Sequence, residues 1–312
     1  MIKKIISVLQ SKVFSRIYID TNTDYHNTIL LSSLGRSGST MVSNVINGDN
    51  GYRVIFEPFK QGTVKIAERF TYPTFVAPLN ADMELLNVLN RILSGKIRTA
   101  WTDLDNKKII ASQRLIKDVR TNLMLGWIKT YYPDLPVILL IRNPFAVIES
   151  WMRLKWPADK PKKRLLQQEE ELQPFLPGGI FVKYQLADTP LANHFYNWCI
   201  NYYIVLQQAK EKNIHITFYE NYLLRPEEEI KSLFAYLNKS VPENAISSLG
   251  NLSRTTGKNS PLRDGETSIT AWRKEFTIEE IDMGVAVLKE FELDKLYDFA
   301  GTGYPANAAV YI

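Results

Sequence analysis

From residue 28 to residue 218 the chain alternates short apolar runs with amphipathic stretches. Five runs have the length and apolar content of strands: Thr28–Leu34, Tyr52–Phe56, Arg114–Lys117, Pro136–Ile141 and Ile214–Phe218. Between most of them apolar residues recur at helical spacing, in Ala81–Ser94, Thr121–Tyr131, Pro144–Leu154 and Leu191–Lys210. The run "VILLI" is apolar throughout, as a strand buried on both faces must be. Strands alternating with helices imply right-handed crossovers and a parallel sheet covered on both sides. After Phe218 the pattern turns helical, in Pro226–Leu237 and Thr277–Phe291. The expected fold class is α/β: a central parallel sheet flanked by helices, with a helical C-terminal part.

No linker divides the chain, so residues 1–312 are expected to form one domain. Residues 1–25 read as an N-terminal helix or extension. Ile5, Ile6, Leu9, Val13 and Ile17 make one apolar face, suited to packing on the body or to lying on a membrane surface. Lys3, Lys4, Lys12 and Arg16 interrupt it too often for a membrane span or a signal peptide. Two polar stretches, 155–190 and 250–268, read as lid or acceptor loops. Phe195, Tyr196, Trp198, Tyr202 and Tyr203 surround their helix, which makes most of them core.

Chemistry concentrates where the first strand hands over to a helix, in "LSSLGRSGSTMVSN" at 31–44. Gly35 and Gly38 let the backbone curl so that N–H groups converge, and the following helix adds the positive end of its dipole. Arg36 supplies charge, and Ser37, Ser39 and Thr40 supply hydroxyl donors. This is a cradle for phosphate or sulfate. It lacks the Gly-Lys pair of an ordinary nucleotide-triphosphate loop, because Ser39 follows Gly38, and that disfavours a kinase or GTPase.

A second element, "LLIRNPFAVIESWM", ends a strand on Arg142 and caps the next helix with Asn143 and Pro144. Ser150 follows Arg142 by eight residues, about two helical turns further on. Such a pair suits a second phosphate, or else a surface ion pair and a solvated serine. The net charge, +5 from 38 basic and 33 acidic residues, mildly favours an anionic partner. It is spread along the chain, so a small anion fits better than nucleic acid. Cys199 is the only cysteine, which excludes an intrachain disulfide and fits a reducing, cytoplasmic compartment.

Taken together, "GRSGST" after a first strand and "IRNPFAVIES" after a later one resemble the sulfotransferases that use 3′-phosphoadenosine 5′-phosphosulfate (PAPS). "FEPF" at 56–59, "LIKDVR" at 115–120, "ITFYENYLLRPEEEIKSLFAYL" and "AWRKEFTIEEI" follow the order of a soluble relative of the carbohydrate-type branch. The resemblance covers roughly residues 28–300 and implies a P-loop-like sheet. It implies that the loop from Arg36 to Thr40 holds the 5′-phosphosulfate and that Arg142 and Ser150 hold the 3′-phosphate. The implied product is 3′,5′-diphosphoadenosine (PAP), and the chemistry calls for no metal. The acceptor is a small molecule, sugar or lipid. A non-catalytic nucleotide- or polyanion-binding protein, or a P-loop phosphotransferase, are the alternatives.

Sulfuryl transfer needs a base for the acceptor proton and cations for the charge on oxygen. Glu57 ends the second strand, where Pro58 favours an extended backbone, and relatives use a glutamate in such a segment; the alternative is a structural ion pair with Arg53 or another cation. Lys117, at the third strand end, suits the transferring group, or else a salt bridge to Asp118. No histidine follows Lys117, where cytosolic members of the family carry one. His194 heads a helix that the resemblance places at the acceptor cleft, which makes it the rival base, whereas His26 and His215 read as structural. Tyr219 is placed to stack on a purine, or else to pack in the core. Ser253, Arg254, Thr255, Lys258 and Arg263 are candidates to close over the nucleotide.

Overall fold

The computed structural model describes residues 13, 18–106, 108–250 and 267–305. Most of the N-terminal helix, most of the 250–268 loop and its five closing candidates therefore lie outside the described residues. The strands are β1 (Ile19–Asp20), β2 (Thr28–Ser33), β3 (Tyr52–Phe56), β4 (Ile110–Ala111), β5 (Gln113–Asp118), β6 (Val137–Ile141) and β7 (Ile214–Phe218). The helices used below are α1 (Ser39–Ile46), α2 (Met83–Leu93), α3 (Leu125–Tyr131), α4 (Pro144–Arg153), α5 (Asp159–Leu166), α6 (Glu169–Leu172), α7 (Ile180–Leu186), α8 (Pro190–Ala209), α9 (Pro226–Tyr236) and α10 (Ile278–Glu290).

Five strands form one sheet in the order β3-β5-β2-β6-β7, and every neighbouring pair is parallel. The expected α/β class holds. The two-residue side-chain period of the strands divides the core in two. Leu30, Leu139 and Ile141 face one side, against α8, while Ile29, Leu31 and Leu140 face the other, against α1 and α9. Strands β2 and β6 are buried along their whole length, which is why β6 reads as an unbroken apolar run and why β2 carries Ile29, Leu30 and Leu31 in succession.

Three differences from the sequence reading have physical causes. The stretch 155–190 is helical, as α5, α6 and α7, rather than open loop. Leu165, Leu172, Ile180, Phe181 and Tyr184 bury one flank of these helices, and Gln168 ties them down by accepting from Phe75 N (2.8 Å) and donating to Pro73 O (2.9 Å). The start of Thr121–Tyr131 is a tight turn, because Ser32 Oγ occupies the side chains of Thr121 and Asn122, each at 2.7 Å. Arg53 does not reach Glu57. It is buried at the other end of β3 on Asp103 (2.8 Å) and Asp20 (3.3 Å), and Arg114 shares Asp20 at 2.9 Å. That knot fastens the extra two-stranded pair β1–β4 to the sheet.

Candidate functional site

The chain order reverses at β2, with β5 and β3 on one side and β6 and β7 on the other. Open parallel sheets bind ligands at such a point, outside the carboxyl ends of the strands. The loop carrying Gly35 to Gly38 leaves β2 there. Arg36 and Gly38 both take positive φ, 77° and 89°. For arginine this is a strained conformation, costing roughly 1–3 kcal/mol, and it persists only where the surroundings fix it. Helix α1 then opens at Gly38 without a side-chain cap, leaving its first N–H groups for an anion.

Several side chains fix the loop. Trp151 Nε1 donates to Gly35 O at 2.9 Å. The Trp156 indole packs so closely that a methyl group on Gly35 would lie 2.8 Å from it. The Tyr202 hydroxyl accepts from Leu34 N (3.2 Å), donates to Leu140 O (3.0 Å) and lies 3.3 Å from Ser37 Oγ. Gly38 lies against the Tyr219 ring, where any larger residue would overlap it. Tyr202→Phe would strand the Leu34 N–H and the Leu140 carbonyl in the core, at about 1–3 kcal/mol. Its thermal midpoint should fall by a few degrees; an unchanged midpoint would show that the loop is braced elsewhere.

Three guanidinium groups converge beside this loop. Arg36 Nε donates to Ser150 Oγ at 2.9 Å, and Arg153 Nη2 lies 3.5 Å from the same oxygen. Arg142 Nη1 donates to Arg36 O at 2.9 Å, and its guanidinium sits 4.5 Å above the Tyr219 ring. Arg142 Nε is buried with no partner among the described residues. Burial, and then the repulsion of Arg142 and Arg153, hold the Arg36 pKa below its ordinary value. Glu149 pairs with Arg153 at 2.7 Å. Glu220, buried after β7, accepts from Asn143 N (2.9 Å) and from the Tyr297 hydroxyl (3.1 Å), so it pins the turn that follows Arg142. Such a gathering of like charges suits an anion. Ser39 is buried in the first turn of α1.

The other side of the loop holds Glu57 and Lys117. Pairing of Phe56 with Lys117 across β3 and β5 brings the two strand ends together. Glu57 lies 3.5 Å from Lys117 Nζ and 2.9 Å from Arg120 Nη1. Burial pushes its carboxyl up, but Lys117 and Arg120 outweigh that and leave the pKa below the ordinary value. Its backbone is not extended, as Pro58 suggested, but has φ 41°. Glu57 N donates to Lys117 O (2.8 Å) and the Trp101 indole donates to Glu57 O (3.3 Å), which holds it there. Lys117 turns to Glu57 and the Phe56 ring (4.4 Å) instead of to Asp118. Asp118 faces the other side of the sheet, accepts from Phe59 N and Arg120 N, and is pushed up to about 6 by burial. A polar cavity of about 200 Å³ along α1 is lined by Thr40, Ser43, Asn44, Asn47 and Lys117 among others, so Lys117 and the last residue of the cradle share it.

His194 is buried 5.3 Å from the Trp151 ring and hydrogen-bonded to the Trp156 backbone. Burial lowers its pKa to about 4, so it is neutral at pH 7. Tyr219 is buried in the core on the α1 and α9 side of the sheet, with Gly38 and Arg142 against its ring. Sequence reading passed over Tyr202, Trp151, Arg120, Arg153 and Glu220. Arg120 and Arg153 could have been found, since each lies three residues beyond a named candidate; the other three carried no local signal.

The family model for the sulfotransferase domain matches residues 26–281. No curated protein matches the chain. Among solved structures, the sulfotransferase domain from the curacin biosynthetic pathway is 14% identical, with TM-score 0.47, covering 85% of this chain and 96% of that one. The sulfotransferase domain of the Synechococcus PCC 7002 olefin synthase is 16% identical, with TM-score 0.45 and coverages of 83% and 94%. A mouse sulfotransferase complexed with PAP is 15% identical, with TM-score 0.42 and coverages of 87% and 86%.

Proposed function

The chain belongs to the sulfotransferase domain family, and from that premise we propose that it moves a sulfuryl group from PAPS to a hydroxyl or amine of a small-molecule, sugar or lipid acceptor, releasing PAP. The observation that carries the donor assignment is the pair of anion sites flanking one loop. The N–H groups at the start of α1 suit a 5′-phosphosulfate. Arg142, Ser150 and the guanidinium groups beside them suit a 3′-phosphate.

In this reading Glu57 accepts the acceptor's proton as its oxygen or nitrogen bonds to sulfur and the bond from sulfur to the 5′-phosphate breaks. Lys117 steadies charge on the sulfuryl oxygens. The Tyr219 ring supports the adenine side of the site as well as Gly38. His194 takes part through the packing of Trp151, or as the rival base. The guanidinium groups and Lys117 supply the positive charge that magnesium brings to kinases, so transfer should continue undiminished in a chelator. Loss of transfer in chelator with recovery on added magnesium would contradict this.

We assign the enzyme to the cytoplasm on its single, buried cysteine. Among the described residues no helix is long and apolar enough to cross a membrane. Titration of PAP against ATP tests the function directly. PAP should bind at least about tenfold tighter, the discrimination that one charge-assisted contact provides. Tighter binding of ATP would return the site to phosphoryl transfer.

A further inference from the structure

A groove of about 420 Å³ lies at the end of the sheet away from the donor loop, by the start of β3. Lys65, Arg91, Lys96 and Arg98 line it, and all four are exposed. None of the four forms an ion pair among the described residues. The acid in the lining, Asp20, is buried and held by Arg53 and Arg114. Between the cations the groove is apolar, with Val64 and Ile97 buried and Ile66 partly so.

These cations are scattered in the sequence, and a close approach gathers them. Gly95, just past α2, takes φ 69°. A methyl group there would lie 2.4 Å from the Asp20 carboxylate and 2.7 Å from the Arg114 side chain. Arg53 Nη1 donates to Gly95 O at 2.8 Å, so the segment with Lys96 and Arg98 is fixed against β1. Beside the groove, β1 pairs with β4 through Ile19 and Ile110, which are 51% and 56% exposed.

The sequence leading into β1 adds to this face. Residues 1–17 hold Lys3, Lys4, Lys12 and Arg16 and no acid. Of their apolar face the structure describes Val13, which is 50% exposed. Like charge disfavours that stretch as the occupant of the groove, and the two attract the same kind of partner, an anionic one.

We propose that this face docks on an anionic membrane surface. Ile19 and Ile110 enter the headgroup layer, while the groove cations and the basic stretch meet lipid phosphates. A soluble polyanion would use the cations and leave the isoleucines in water, so the combination favours a membrane. The donor loop lies at the opposite end of the strands, and the docked chain keeps its reacting groups open to solution. The inference uses no residue of the candidate site and stands apart from the sulfotransferase reading.

The test is flotation of the full chain with phosphatidylcholine vesicles, with and without phosphatidylglycerol, at physiological salt. Binding to the anionic vesicles should be at least about tenfold tighter and should weaken as salt is raised. One basic residue near an anionic surface is worth roughly fivefold in affinity, so Lys96→Gln combined with Arg98→Gln should weaken binding about twenty-fivefold. Ile110→Ser should weaken it about fivefold and leave binding to inorganic polyphosphate and duplex DNA unchanged. All three side chains are exposed, so the thermal midpoint and PAP affinity of both variants should match those of the unmodified chain. Equal binding to the two kinds of vesicle, or none, would overturn the inference. Full retention by the Lys96 and Arg98 variant would place the binding in residues 1–17 and overturn the assignment to the groove. Duplex DNA or polyphosphate bound more tightly than anionic vesicles, with Ile110→Ser silent, would make the face a polyanion site and not a membrane one.

Discussion

Glu57→Gln is expected to cut sulfuryl transfer by roughly 10²–10⁴-fold, the usual worth of a positioned general base, while PAP affinity stays within a few-fold. The substitution keeps the size of the side chain and its hydrogen bond to Arg120 but removes the site for a proton. The geometry favours this residue for three reasons. It ends β3 beside the donor loop, its backbone is held at φ 41°, and Lys117 and Arg120 hold the carboxylate. Because Lys117 and Arg120 leave its pKa below the ordinary 4.5, this carboxyl is ionised across the neutral range, as the proposed base must be. The acid limb of the rate profile should therefore fall below that value. The sign for stability is the same: a depressed carboxyl contributes above its unfolded pKa, and the contribution is lost as pH falls through the folded one.

A pH profile alone does not separate Glu57 from His194, whose pKa of about 4 makes it neutral over the same range. The variants do. His194→Gln should leave transfer within a few-fold, because the histidine contacts are Trp151 and the Trp156 backbone. Near-normal turnover of Glu57→Gln, with His194→Gln inactive, would transfer the base role to the histidine. Measuring PAP binding alongside the rates keeps a misfolded variant from being mistaken for a catalytic one.

What could be read in the sequence, and what could not, follows from the range of the interactions. The strands β2, β3 and β7 and the helix α4 announce themselves through local periodicity and caps, so their bounds agree with the structure to within a residue or two. The meeting of Glu57 and Lys117 follows from two adjacent parallel strands ending at one edge. The bond from Arg36 to Ser150 joins residues 114 apart, and that from Tyr202 to Leu34 spans 168. No local pattern encodes either. Tyr202 sits in a helix crowded with aromatic core residues, where a hydroxyl that reaches the loop looks like any other. The stretch 155–190 misled by composition: its lysines and glutamates are solvated flanks of helices whose inner anchors are few and far apart.

The second large effect is expected at Arg142. Arg142→Ala should weaken PAP by about ten- to a hundredfold, the worth of a charge-assisted contact of roughly 1.5–3 kcal/mol. Adenosine 5′-phosphosulfate, which has no 3′-phosphate, should lose little. The prediction rests on charge as well as position. Arg36 and Arg153 stand around Ser150, Arg142 holds the Arg36 carbonyl and Glu149 pairs with Arg153, so the cluster suits a phosphate carrying up to two negative charges. Arg142 also supports the loop through Arg36 O, and that scaffolding role would affect both ligands alike. The ratio of the two losses is therefore the informative quantity. Ser150→Ala should change it in the same direction by a smaller factor, since a neutral hydroxyl contributes less than a guanidinium. Arg142→Lys should recover part of the loss, because it restores charge without the two-pronged geometry. Equal weakening of the two ligands by Arg142→Ala would show that Arg142 shapes the loop and that the 3′-phosphate is read elsewhere.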